Sequence, residues 1–177
     1  MEPNPRSPAW IELAQLVPVV VLASSFVVGG EVDLARATPL FVVAAALSVP
    51  ILGLVAWRRF VPNWIAVGAD LWLWLGAAAF AIPIRPIAAW LAETHAVGIF
   101  VGAFAVGVAA TFGSPGGYVG LVHPDRRWVR RTSVRLLALT GVAIVWAWLL
   151  RDDLRLGGGL PFIVVNVARR WALSRVG

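Results

Sequence analysis

Apolar residues run along this chain in long blocks, separated by short polar or Pro- and Gly-rich punctuation. A helix crossing about 30 Å of hydrocarbon takes roughly 20 apolar residues, and most of these blocks approach that length. Ser7-Pro8 reads as an N-cap followed by proline at the first helical position, opening a run from Trp10 to Val28 that Gly29-Gly30 stops. Thr38-Pro39 repeats the pattern and opens a second run, closed by Trp57-Arg58-Arg59. Pro62 opens a third, which lasts to Ile82 and is broken by Pro83-Ile84-Arg85-Pro86. A short amphipathic piece, Ile87 to Glu93, precedes a fourth apolar run from Ala96 to Phe112.

Gly113-Ser114-Pro115-Gly116-Gly117 has the composition of a turn and leads into a basic loop from Asp125 to Arg131, with Asp125 placed to cap the next helix. The fifth run ends at Leu150, before Arg151-Asp152-Asp153. The last, Leu160 to Ala168, is cut short by Arg169-Arg170 and crosses a bilayer only if those arginines snorkel to the headgroups. The pattern predicts an all-α, polytopic transmembrane helix bundle, one domain over residues 1–177, with six spans at about 9–29, 38–57, 62–82, 94–113, 130–150 and 158–174. The first block is too long for a signal-peptide core and has no clean cleavage site before Glu31, so it counts as the first span.

Charge orients the bundle, because cytoplasmic loops are enriched in basic residues. Six crossings collect Arg6, Arg58, Arg59, Arg126, Arg127, Arg130, Arg131, Arg135, Arg169, Arg170 and Arg175 on one side. Only Arg36, Arg85, Arg151 and Arg155 fall on the other, with Glu31, Asp33, Glu93, Asp152 and Asp153. Both ends are therefore expected in the cytoplasm. Trp10, Trp57, Trp64, Trp90, Trp128 and Trp171 fall at span ends, as an interfacial aromatic belt requires.

Composition agrees: 60% of the 177 residues are hydrophobic, more than a soluble domain of this size can hide. The net charge of +6 would suggest nucleic acid in a soluble chain, but here the arginines sit at helix ends, beside anionic lipid. Membrane lipids are the expected partners, with a membrane-protein partner or a second copy of the chain; nucleic acid is not. All 15 basic residues are Arg, which reads as the coding bias of a high-GC bacterium and places the chain in a bacterial inner membrane. The absence of Cys excludes disulfides, thiolate nucleophiles and cysteine-ligated metals.

Asp70 is the sharpest chemical feature, a carboxylate near the middle of the third span. At that depth it costs a few kcal/mol unless it faces the bundle and finds a partner or a proton. Arg135 and Asn166 are the candidate partners, so the three form a candidate ion- or proton-binding set; the alternative is a structural acid that locks helices together. His95 and His123 raise a haem hypothesis, but they are expected at opposite ends of the bundle, and no cofactor or metal site is expected. Gly98-x-x-x-Gly102 and the neighbouring Gly107 form a small-residue strip for close helix packing, expected within the bundle in preference to a contact with a second copy. Arg126, Arg127, Arg130 and Arg131 are candidate contacts for lipid headgroups. No serine-histidine-acid set, P-loop, zinc or dinucleotide motif is present, so no catalytic residue is assigned.

Glu12 with Pro18-Val19-Val20, Ala37-Thr38 opening the second span, and Trp57-Arg58 with Pro62 closing it give the chain a resemblance to the intracellular septation protein A family of bacterial inner-membrane proteins. The resemblance covers about a third of the chain. That family usually has a basic-Leu-Asn start to its penultimate helix and Trp-Val and Phe-Lys before its last, where this chain has Arg130-Arg131-Thr132-Ser133 and Leu160-Pro161-Phe162. Membership would imply a non-enzymatic role in the cell envelope or septation, through protein partners. The expectation is thus an envelope factor or an accessory subunit of a membrane complex. The second reading is a small oligomeric transporter or channel that uses Asp70.

Overall fold

The structure is a computed structural model and describes residues 8–27, 34–82, 85–94, 96–153 and 155–175. Every regular element among them is helical: α1 Ala9–Ala14, α2 Val17–Val27, α3 Leu34–Trp57, α4 Trp64–Ala81, α5 Arg85–Thr94, α6 Val97–Gly113, α7 Arg126–Leu149 and α8 Leu160–Ser174, the last preceded by a π-helical turn, Arg155–Gly159. Two of them, over Pro39–Trp57 and Arg126–Leu149, are long and apolar enough to cross a membrane. Ala9–Ala23, Trp64–Ala79 and Val97–Gly113 are apolar but shorter.

Proline chemistry explains where the helices depart from the expected boundaries. Pro18 has no N–H to give the carbonyl of Ala14, and the first block breaks at Gln15-Leu16 into α1 and α2. Thr38-Pro39 does not open a helix: α3 starts upstream at Leu34, and both Pro39 and Pro50 lie inside it. The alanines at 35 and 37 are the strongest helix formers and extend the helix past the proline signal. Nor does Pro62 start α4, since Asn63 is its cap and accepts the Ile65 N–H at 3.2 Å. Pro8 itself occupies the cap position of α1. Ser7, Gly29-Gly30, Pro83-Ile84 and His95 lie outside the described residues.

The basic stretch after Asp125 is helix rather than loop. Asp125 accepts the N–H groups of Arg127 and Trp128 at 2.9 and 3.1 Å, and α7 begins at Arg126. Arginine is a good helix former, and the capping carboxylate offsets the unfavourable meeting of cations with the positive end of the helix dipole.

Helix α4 is central, packed between α3 and α6, while α7 packs on α6 and α8 on α7. One core cluster joins Ile65 of α4 to Phe100 and Ala103 of α6, Leu136 and Leu137 of α7 and Val165 of α8. The other joins Ala69, Trp72 and Leu73 of α4 to Val19 and Leu22 of α2 and Phe41 and Ala44 of α3. The closest approach is between α4 and α6, where a Cβ added at Gly102 would overlap the Gly68 carbonyl and one at Gly68 would overlap the Ala103 backbone. Gly98 lies under the Trp72 ring, and Gly107 faces Leu137 and Tyr118.

Around these apolar cores, some polar side chains are buried and many apolar ones face outward. Gln15, Ser48, Asn63, Asp70, Thr111, Ser133, Thr140 and Arg169 are buried, whereas Val43, Leu71, Val101, Val142, Ile163 and Val167 are exposed on the outer faces of successive helices.

At its C-terminal end α3 closes with Phe60 N–H donating to Val55 O (3.0 Å) and Arg59 N–H to Ala56 O (3.1 Å), leaving Arg59 at φ 53°. This is a Schellman closure with a side chain at the position glycine favours.

Gly102→Leu is expected to lower stability in detergent by about 1–3 kcal/mol or more, because neither backbone can yield, whereas Gly53→Ala, with open space around it, raises it by up to about 1 kcal/mol. Arg59→Gly is expected to stabilise by about 1 kcal/mol through relief of the left-handed strain. Thermal unfolding followed by circular dichroism checks all three, and a Gly102→Leu protein as stable as the parent would contradict the close approach.

Candidate functional site

The largest fully buried side chain among the described residues is that of Arg169, on α8. A guanidinium withdrawn from water needs acceptors, and two distant parts of the chain supply them. Its Nε donates to the Val119 carbonyl at 3.1 Å, and Nη1 donates to Glu12 Oε2 of α1 at 3.4 Å. Arg170, one residue on and half-exposed, brings its Nε to 3.9 Å from the same carboxylate oxygen.

Val119 is presented by a buried turn between α6 and α7. Gly117 and Gly120 take φ values of 58° and 74°, which side-chain-bearing residues rarely adopt, and both Gly120 and Leu121 N–H groups return to the Gly116 carbonyl. The turn drives Tyr118 and Val119 into the core. Val119 N–H donates to Ser133 Oγ (3.3 Å), and the Tyr118 hydroxyl pairs with Thr140 Oγ1 (3.2 Å). Burial pushes the Tyr118 phenol up to about 12, so it remains neutral.

A chain of amides continues the network. Gln15 Oε1 accepts the Asn63 N–H at 2.8 Å, and Asn63 Nδ2 donates to Asn166 Oδ1 at 3.1 Å. Asn166 Nδ2 donates in turn to the Phe162 carbonyl of its own helix. These contacts gather α1 with its C-cap Gln15, the α3–α4 connection, the α6–α7 turn and the middle of α8 at one pole of the bundle. At the other pole the start of α6 meets the π-helical turn, where a Cβ on Gly158 would crowd that of Ala96.

Asp70 stands apart from this network. It is buried in α4, and its Oδ1 has no hydrogen-bond partner among the described residues. The structure does not bring it to Arg135 or Asn166: Asn166 is engaged by Asn63, and Arg135 is exposed on α7. Position on the helices explains the difference, since Arg135 faces outward with Arg127, Arg130 and Arg131 along one wall of a groove. Arg126 does not line that groove. Gly98, Gly102 and Gly107 all face other helices of this same chain.

No family model, curated protein or solved structure matches the chain.

Gln15, Asn63 and Tyr118 are not among the candidate residues that the sequence offers; Glu12 enters there only through the family resemblance, and Arg169 only as an arginine expected to reach the headgroups. The available signal was spacing: Glu12 and Gln15, and Asn166 and Arg169, are each three apart within apolar blocks and so share a helix face. No group of three His, Cys, Asp or Glu side chains that could hold a metal ion is assembled among the described residues. What the arrangement does chemically is join α1 to α8 through the ion pairs of Glu12 with Arg169 and Arg170 and through two amide hydrogen bonds by way of Asn63.

Glu12→Gln leaves the buried guanidinium without its counter-charge and is expected to cost about 3 kcal/mol. The double variant Glu12→Gln/Arg169→Met is expected to be less destabilised than the sum of its single changes, because its pair is removed together. Unfolding in detergent reads both, and an additive double variant would show that the pair does not couple.

Proposed function

We propose that the chain is a multi-pass bacterial inner-membrane protein of the structural or interaction class, with six crossings and both ends in the cytoplasm, acting without catalysis as an envelope factor or an accessory subunit. The observation that carries this reading is the placement of apolar side chains over the outer faces of successive helices, while Gln15, Asn63 and Arg169 are buried inside the bundle. In water such a surface would drive aggregation; in hydrocarbon it is the required one, because polar groups must be satisfied inside the protein.

Six crossings are supported by the two poles. The pole that holds Glu12, Asn63, Val119 and Arg169 carries the ends of the helices on which the arginines concentrate, as the positive-inside rule expects for the cytoplasmic face. A length of 15 residues makes α8 short for a span, and burying Arg169 among Glu12 and Val119 lowers the cost of carrying that charge at depth. The resemblance to the septation protein A family supports the envelope role, since Glu12 and Pro18, two residues that carry it, stand at the ion pair and at the α1–α2 break. A shallow apolar groove of about 440 Å³ between α3 and α4, lined by Val42, Ala45, Ala46, Val49, Trp74 and Ala77, supports association with another membrane protein.

The unpartnered Oδ1 of Asp70 favours one second reading, a small oligomeric transporter or channel in which this carboxylate takes up a proton or cation.

Reporter fusions after Arg59 and after Pro124 are expected on the cytoplasmic side and one after Ile82 on the opposite side, with the chain resisting alkaline carbonate extraction. Fusions after Arg59 and Pro124 on opposite sides would refute the topology. In proteoliposomes, Asp70→Asn is expected to leave ion and proton flux at the level of protein-free vesicles, as for the parent; a parent flux that the variant loses would replace the structural reading with the transport one.

A further inference from the structure

Arg127, Arg130, Arg131 and Arg135 recur on one side of α7 and, with Val134, line an outward groove of about 630 Å³. Among the described residues no ion pair joins any of the four to a carboxylate, and the nearest acid in sequence, Asp125, already accepts two backbone N–H groups of the first turn. The groove is bordered by apolar surface: the Arg130 guanidinium lies 5.4 Å from the ring centroid of Phe112, which is exposed at the end of α6, and Val134 is exposed between the arginines. The site is thus cationic and greasy at once.

Depth identifies the occupant. Counting back the roughly 20 residues that cross the hydrocarbon from Leu150 puts the boundary near Arg131, so Arg135 sits one turn, about 6 Å, inside it. An anion dissolved in the cytoplasm meets Arg127 and Arg130 but reaches Arg135 only by entering the acyl region. A phospholipid delivers its phosphate at that boundary and already has its chains in the hydrocarbon. We propose that this groove holds the phosphate of an anionic phospholipid of the inner leaflet, with the acyl chains lying against Phe112, Val134 and the apolar faces of α6 and α7. The inference rests on the membrane-bundle reading above and gives that bundle a defined lipid contact.

The test uses the full chain, purified in mild detergent and incubated with equal amounts of dioleoyl phosphatidylglycerol and dioleoyl phosphatidylcholine, with retained lipid counted by native mass spectrometry. Phosphatidylglycerol is expected to be retained preferentially, and Arg135→Gln to lower that retention about fivefold, the effect of one basic residue near a membrane surface. Arg151→Gln, at the other end of α7, is expected to leave it unchanged. Equal retention of the two lipids by the parent chain would overturn the proposal, as would a preference that survives replacement of all four groove arginines by Gln. Displacement of the lipid by millimolar inorganic phosphate would assign the groove to a soluble anion instead, against the proposal. A chain that stays in the aqueous phase without detergent would remove the membrane reading itself, a result distinguishable from an inserted protein that does not discriminate between headgroups.

Discussion

A charged group held away from solvent organises whatever surrounds it, and here that group is the guanidinium of Arg169. It cannot remain buried without acceptors, and the acceptors come from α1 and from the α6–α7 turn. The turn reaches inward because two of its glycines accept backbone angles closed to most residues, and α1 is positioned because Pro18 separates it from α2. Asn63 completes the arrangement by linking Gln15 to Asn166 while also capping α4. One requirement thus accounts for the placement of four otherwise unrelated segments.

The middle of the bundle depends on a different constraint, the absence of side chains. Gly68 and Gly102 let α4 and α6 meet backbone to backbone, and Gly98 makes room for the Trp72 ring. Dispersion forces fall off quickly with distance, so close approach is what such packing contributes where burial of apolar surface gives little advantage. Trp72 in turn meets Trp90 of α5 edge to face, with ring centroids 5.2 Å apart, which ties the amphipathic helix to the bundle. Trp74, two residues along, instead bonds Ser48 of α3 through its indole N–H at 2.7 Å.

The all-helical character of the chain is legible in the residues, because block length and proline punctuation are local properties. Each block is helical over its described part, and Asp125 caps α7. Boundaries were less legible: alanines carried α3 past the Thr38-Pro39 signal, and arginines extended α7 back to Arg126. The buried network was hardest to see. Arg169 next to Arg170 looks like an interfacial pair that reaches for headgroups, and only the long-range meeting with Glu12 and Val119 separates a buried arginine from an exposed one. Asp70 was visible as a buried acid from its position alone, but the identity of its neighbours depended on helix rotation, which a run of apolar residues on every face does not encode.

The Glu12–Arg169 pair spans 157 positions of the chain. During synthesis Glu12, Gln15 and Asn63 emerge well before Asn166 and Arg169. Until α8 is made, Glu12 and the side-chain amide of Asn63 therefore lack the partners they meet in the bundle, whereas Gln15 already has its own in Asn63. Assembly of this pole must wait for the arrival of α8, so the order in which the ribosome delivers the helices differs from the order in which they can lock together.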